Sequence, residues 1–232
     1  MKQFNLSKRL KTIASYIPRG SRLADIGSDH AYLPVYLVLE DGIEKGIAGE
    51  INDGPLKSAM ETVRTYGLEA RIDVRKGNGL SVIKKGEVDA IAIAGMGGEL
   101  IRTILDSGRD RLTAETTLVL QPNVAEHRVR EWLEMNGWTI DAEEILEEDD
   151  HIYEVIVAKK SQLPVRLTAL ERRFGPFLLR KGGAVFERKW RQEQRKLENI
   201  LQSLEKGEPS DELDAKKTAI QAFLQDIKEV IQ

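Results

Sequence analysis

Residues 22–34 read RLADIGSDHAYLP, and their interpretation decides the fold. RLADI (22–26) has the short, mostly apolar character of a buried strand, and Gly27 ends it. AYLPVYLVLEDG (31–42) then reads as a helix, with Pro34 acceptable only in its first turn, where the missing N–H costs nothing. A strand, a glycine turn carrying carboxylates, and a helix make the opening of a strand–helix–strand unit.

The same alternation continues downstream. GIAGEI (46–51) is a second strand, and PLKSAMETVRTYG (55–67) a helix with Leu56, Ala59, Met60 and Val63 on one face. ARIDVRKGNG (70–79) supplies a third strand, and VDAIAIAGMGG (88–98) a fourth, apolar enough to be central. Helix ELIRTILDSG (99–108), strand TTLVL (116–120) ending in QPN, and helix AEHRVREWLEMNG (125–137) follow. WTIDAEEIL and HIYEVIVAKK are then two strands joined by a polar turn at 147–150, too short for anything but an antiparallel pair. Five parallel strands and a terminal hairpin predict an α/β fold with a doubly wound, Rossmann-like sheet of seven strands. Ligands of such sheets bind beyond the carboxyl ends of the strands.

Beyond residue 160 the pattern becomes helical. The division expected is a sheet domain over 1–160 and a helical domain over 161–232. In the latter, a helix over 184–207 repeats Trp190, Leu197 and Leu204 at seven-residue intervals. After Gly207-Glu208-Pro209, Ser210 caps a second helix that repeats Leu213, Ile220 and Ile227. This predicts a helical hairpin with coiled-coil packing.

Composition narrows the function. The chain has 232 residues, 41% of them hydrophobic, a formal charge of -3 and no cysteine. Its apolar runs fall far short of the ~18 residues of a membrane span, and no signal-peptide pattern opens it. A soluble cytoplasmic protein is expected, with no membrane association and no metal. The small net charge conceals a strong segregation. Residues 1–22 carry six basic residues and no acid; residues 115–154 hold twelve acids against two arginines; residues 159–196 hold twelve basic residues against three acids. Local fields of this kind suit a polyanion, because phosphates are neutralised one contact at a time. The acidic hairpin would then face away from such a partner.

The strand ends carry the chemistry. Asp25, Gly27, Ser28, Asp29 and His30 follow the first strand, but the glycine that lets a dinucleotide pyrophosphate approach is replaced by Asp29. A carboxylate there repels phosphate and tolerates a cation. Glu50, followed by Ile51, ends the second strand where an acid grips ribose hydroxyls. Asn78 and Gly79 after the third offer an amide to an adenine edge, and Gly95 and Met96 after the fourth allow close approach. A nucleoside with a charged tail and no phosphate fits this set, namely S-adenosylmethionine. Each residue also has a purely structural reading, such as a helix cap for Asp29, a turn for Asn78-Gly79, or a packing role for His30 and Tyr32.

The order of elements and these strand ends resemble class I S-adenosylmethionine-dependent methyltransferases. More narrowly, LADIGSDHAYLP, AGMGG and LQPN, with the C-terminal helical hairpin, resemble the bacterial TrmK family over the whole chain. That resemblance implies methylation of N1 of adenosine 22 in tRNA. Absence of cysteine excludes pyrimidine C5 and radical methylation. An adenine ring nitrogen needs alignment more than deprotonation, and a carboxylate offsets the charge that develops. Asp29 is therefore the catalytic candidate. Tyr32, Gln121, Pro122 and Asn123 are substrate-binding candidates at the cleft, and Arg9, Lys11, Arg172, Arg173, Arg180 and Lys181 are candidates for tRNA phosphates. A monomer is expected. Two alternatives are a small-molecule methyltransferase dimerising through its coiled coil, and a non-enzymatic RNA-binding adaptor.

Overall fold

The computed structural model describes residues 5–163, 166–205 and 210–231, so the expected turn at 207–209 lies outside the described residues. Two compact units divide between Pro176 and Phe177. The first is built on one seven-stranded sheet of order β3-β2-β1-β4-β5-β7-β6. Its strands are β1 (Ser21–Ile26), β2 (Ile43–Glu50), β3 (Ile72–Lys76), β4 (Ala90–Gly97), β5 (Thr117–Val124), β6 (Trp138–Glu148) and β7 (His151–Lys160). The first five are parallel; β7 runs antiparallel to both β5 and β6. The doubly wound sheet and its terminal hairpin are as expected from sequence. In β4, Ala90, Ile91, Ala92 and Ile93 are wholly buried, as a central strand covered on both faces requires.

The crossovers are α2 (Tyr32–Leu39), α3 (Asp53–Thr65), α4 (Gly98–Ser107) and α5 (Glu126–Met135), with a short 3-10 turn after β3. Preceding them all is α1 (Lys8–Ser15), which composition marked only as a basic segment. Ser7 caps it by accepting from the Leu10 N–H, and Leu6, Ile13, Ala14 and Ile17 enter the sheet's core.

The turn between β6 and β7 is shorter than the sequence suggests. Pairing continues to Glu148 opposite His151, leaving only Asp149 and Asp150, with φ of 49° and 60°. Two successive positive φ values are the signature of a two-residue hairpin turn whose twist matches the strands. The tip of this acidic hairpin does not stand apart from the basic N-terminal segment. The Glu148 carboxylate accepts the N–H groups of Lys8 and Arg9 (the latter at 3.1 Å), satisfying the first orphan donors of α1 at the positive end of its dipole.

Two further acids of that block are buried. Glu143 and Glu154, both fully buried, hold the equally buried Arg130 of α5 at 2.7 and 2.5 Å. The Arg130 guanidinium also donates to the carbonyls of Arg172 and Arg173 in α6 (Ala169–Phe174), at 3.4 and 3.2 Å. Thr168 and Glu171 close a capping box at the start of α6.

The second unit comprises α7 (Pro176–Lys181, which straddles the division), α8 (Ala184–Leu204) and α9 (Asp211–Val230). Ser210 caps α9, and three acids occupy its first turn. Trp190 of α8 meets Phe186 and Phe223 edge-on, with ring centroids 6.1 and 6.3 Å apart, and Leu197, Leu224 and Ile227 are buried. Among the described residues, no helix is long and apolar enough to cross a membrane.

Candidate active site

The carboxyl ends of β1 and β4 converge with α1 on a cleft of about 530 Å3. Of the residues singled out in the sequence, Arg9, Asp25, Gly27, Ser28, Asp29, His30, Tyr32 and Gly95 line it. Asn5, Leu6, Ser7 and Leu10 line it too, and sequence reasoning missed them. The usable signal was Ser7 as an N-cap ahead of Leu10, Ile13 and Ala14 at helical spacing.

The local backbone explains the cleft. Gly27 and Gly95 have φ of 71° and 75°, which only glycine adopts without strain, and a Cβ on Gly27 would lie 2.1 Å from the Met96 Cε that covers it. Asp29 and Ala31 also have positive φ, 57° and 56°. For residues with a side chain this costs ~1–3 kcal/mol each, and such strain concentrates at functional sites. It turns His30 and Tyr32 outward, where their rings stack at 4.9 Å and 14°.

Two carboxylates are buried at adjacent strand ends. Asp25 accepts from the Ser28 hydroxyl at 2.5 Å, and Glu50 accepts the Asp29 N–H at 2.5 Å. Burial pushes the Asp25 carboxyl up to about 6; the Ser28 hydrogen bond opposes this, Glu50 adds to it, and the more distant Arg9 charge lowers it again. Neither carboxylate forms a salt bridge among the described residues. Asp29 itself presents an exposed carboxylate, 3.6 Å from the His30 Nε2.

A second network fixes the end of β4. Gln121, completely buried in β5, accepts from Arg9 Nη1 at 2.7 Å and from the Gly95 N–H at 3.1 Å. Its amide donates to Asn123 at 3.0 Å, and the Asn123 amide donates to the Gly95 carbonyl at 2.8 Å. The QPN segment is thus part of β5 rather than a loop after it. Pro122 is buried and Gln121 has all its polar atoms engaged within the protein, so both support the site from behind. Arg9 also lies 5.4 Å from the centre of the Tyr153 ring.

The remaining candidates lie further out. Ile51 is exposed just past β2, and Asn78 is exposed beside Gly79, whose φ is 53°. Lys11 donates to Asn5 at 2.5 Å, on the rim of the cleft. Arg172 pairs with Glu134 at 2.6 Å, and that contact holds the Glu134 carboxyl below the usual range. Arg173 follows on α6, whereas Arg180, over the Phe177 ring at 4.6 Å, and Lys181 belong to the second unit.

The donor set fits S-adenosylmethionine. Two buried carboxylates without a bonded cation suit a ligand bearing hydroxyls and positive charge, and they oppose a pyrophosphate. A seven-stranded sheet with an antiparallel final hairpin and this site at its strand ends defines the class I methyltransferases. Comparison with known proteins narrows the class. A family model described as TrmK, tRNA (adenine(22)-N(1))-methyltransferase, matches residues 23–229. The tRNA (adenine(22)-N(1))-methyltransferase of Bacillus subtilis (strain 168) is 45% identical over 100% of this chain and 99% of its own length. The crystal structure of the B. subtilis m1A22 tRNA methyltransferase TrmK superimposes with a TM-score of 0.94 at 44% identity, covering 99% of this chain and all of that one. M. capricolum TrmK in complex with S-adenosylhomocysteine gives 0.84 at 30% identity, over 98% and 99% of the two chains. The chain belongs to the TrmK family.

Proposed function

We infer a division of labour among the residues of a chain that, as a TrmK-family member, is an S-adenosylmethionine-dependent tRNA (adenine(22)-N(1))-methyltransferase. When bound, S-adenosylmethionine supplies an electrophilic methyl group on a positively charged sulfur. Asp25, with Gly27, Ser28 and His30, receives the charged portion of the cofactor. Glu50 and Ile51 receive its ribose, and Asn78, Gly79, Gly95 and Met96 its adenine end. Glu50 has a second task, because its hydrogen bond to the Asp29 N–H fixes the turn that carries Asp29.

The N1 lone pair of adenine lies in the ring plane, so alignment supplies most of the rate. The base must leave any stack to expose that edge, and Tyr32 offers it a ring surface. Asp29 provides negative charge beside a base that becomes cationic, and its carboxylate can accept from the N6 amine. Gln121 and Asn123 act by positioning Arg9 and Gly95. Lys11, Arg172, Arg173, Arg180 and Lys181 are the proposed phosphate contacts, Arg172 while also paired with Glu134. Recognition of the tRNA then rests on shape and an extruded base. We place the cofactor-binding part within 1–160 and the tRNA-orienting helices within 161–232, in a cytoplasmic monomer.

One observation carries this reading: Asp29, its carboxylate exposed, lies on the turn after buried Asp25 and donates its own N–H to buried Glu50 at the neighbouring strand end. The test is transfer of labelled methyl from S-adenosylmethionine to unmodified tRNA, followed by nucleoside analysis. Label in 1-methyladenosine at position 22 is expected; label on any other base atom refutes the regiochemistry.

A further inference from the structure

A second recess, of about 630 Å3, opens beside the cleft and shares Asn5, His30 and Tyr32 with it. Its far wall is the solvent face of α3, with Ser58, Glu61, Thr62 and Thr65. Tyr66, just past the end of α3, also lines it. The stacked His30–Tyr32 pair therefore lines both openings, whereas Asp29 lines only the cleft.

The polar character of this recess is one-sided. Thr62 donates its hydroxyl proton to the Ser58 carbonyl at 2.9 Å, and Thr65 donates to the Glu61 carbonyl at 2.7 Å. Both hydroxyl oxygens thus offer lone pairs outward, beside the exposed Glu61 carboxylate. Among the described residues, no lysine or arginine lines the recess. Aromatic rings with hydrogen-bond acceptors and a negative charge repel a phosphate. They suit a neutral, flat group carrying N–H or O–H donors. A cation is nonetheless close by: the Lys11 ammonium bonds Asn5, the residue on the rim common to both cavities.

We propose that this recess is a second nucleoside subsite, which takes the nucleotide adjacent to the target adenosine when that stretch of tRNA is unstacked. The neighbouring base packs against the aromatic wall, and its exocyclic amine or ribose 2′-hydroxyl donates to Thr62, Thr65 and Glu61. The phosphodiester between the two nucleosides passes Lys11. The proposal rests on the methyl-transfer reading above, and it adds that substrate is held as a splayed dinucleotide step rather than as a single flipped base.

The experiment fills the recess with a Thr62→Trp substitution in the full chain. Steady-state methylation of transcribed tRNA and calorimetric titration with S-adenosylmethionine are measured side by side, with Met60→Trp as a bulky control on the same helix outside the recess. The expected result is a KM for tRNA raised at least fivefold in Thr62→Trp, with cofactor affinity as in the wild type. A smaller rise, an equal rise in Met60→Trp, or a parallel loss of cofactor affinity overturns the subsite. Absence of methylation by the wild-type chain instead overturns the methyl-transfer reading itself. Ser58→Phe applies the same measurements from a neighbouring lining position should Thr62→Trp not fold.

Discussion

Replacing Asp25 with asparagine measures what the buried carboxyl costs the fold. The folded chain holds this group at about 6, against 3.8 for an unperturbed aspartate. Below pH 3.8 it is protonated in both folded and unfolded chains, and no penalty arises. As pH rises the unfolded chain ionises first, so stability is lost progressively until the folded carboxyl also ionises, above about 6. The full deficit at pH 7.5 is about 3 kcal/mol, at 1.36 kcal/mol per tenfold displacement of the proton equilibrium. Asp25 is only 6% exposed, so solvent screening does not erode this much. Asparagine keeps the shape and a partner for Ser28 while removing the charge. Asp25→Asn should therefore unfold later than the wild type at pH 7.5, by up to ~6–12 °C at ~2–4 °C per kcal/mol. Near pH 4.5 the advantage should shrink to about 1 kcal/mol. Urea and thermal unfolding followed by circular dichroism at the two pH values check this, alongside titration with S-adenosylmethionine, whose binding should weaken in the variant. An Asp25→Asn protein no more stable than the wild type at pH 7.5, or one with the same advantage at both pH values, refutes the reasoning.

Asp29→Ala should lower the single-turnover methylation rate by about 10–100-fold and leave calorimetric cofactor affinity intact. Glu50→Ala should weaken that affinity and also slow transfer, because it frees the Asp29 N–H; equal losses of affinity in both variants would sink the division. Gln121→Leu removes the acceptor of Arg9 and Gly95 and should cost about 2–3 kcal/mol in urea unfolding. A double-mutant cycle with Arg9→Ala should show coupling of about 1 kcal/mol, and additivity would contradict the network. Arg130→Met leaves Glu143 and Glu154 buried without their shared guanidinium, for a loss of about 3–5 kcal/mol. A loss under about 1 kcal/mol in the same titration would show that the two carboxylates do not depend on it.

Much of the sheet was readable because parallel strands announce themselves as apolar runs between amphipathic helices. The positions of Asp25, Glu50 and Gly95 at strand ends followed directly. What escaped the sequence were long-range pairings with no local signature. Gln121 is polar and follows a strand-like run, so it reads as a loop residue; its bonds to distant Arg9 and Gly95, with Asn123 nearby, account for its burial. The acids of 115–154 read as one repulsive block, yet Glu143 and Glu154 are consumed by Arg130, Glu148 by α1, and Asp141 by Lys159 at 2.8 Å. Net charge by segment cannot distinguish a field offered to a partner from one spent inside the fold. The helix α1 was overlooked because its basic residues dominate an eight-residue stretch whose apolar face is only a few positions wide.

The carboxylate clasp on α1 also bears on the order in which the chain acquires its activity. Lys8 and Arg9 emerge from the ribosome long before Glu148, and the contacts joining them span 140 and 139 residues. An isolated helix of eight residues is not stable in water. Helix α1 therefore depends on the sheet's final hairpin to supply its anchor. Since Arg9 and Ser7 line the cleft, a nascent chain truncated before the hairpin could hold the glycine turn and both buried carboxylates and still lack one wall of its site. Closing the sheet and completing that wall of the candidate cleft are thereby coupled through one carboxylate.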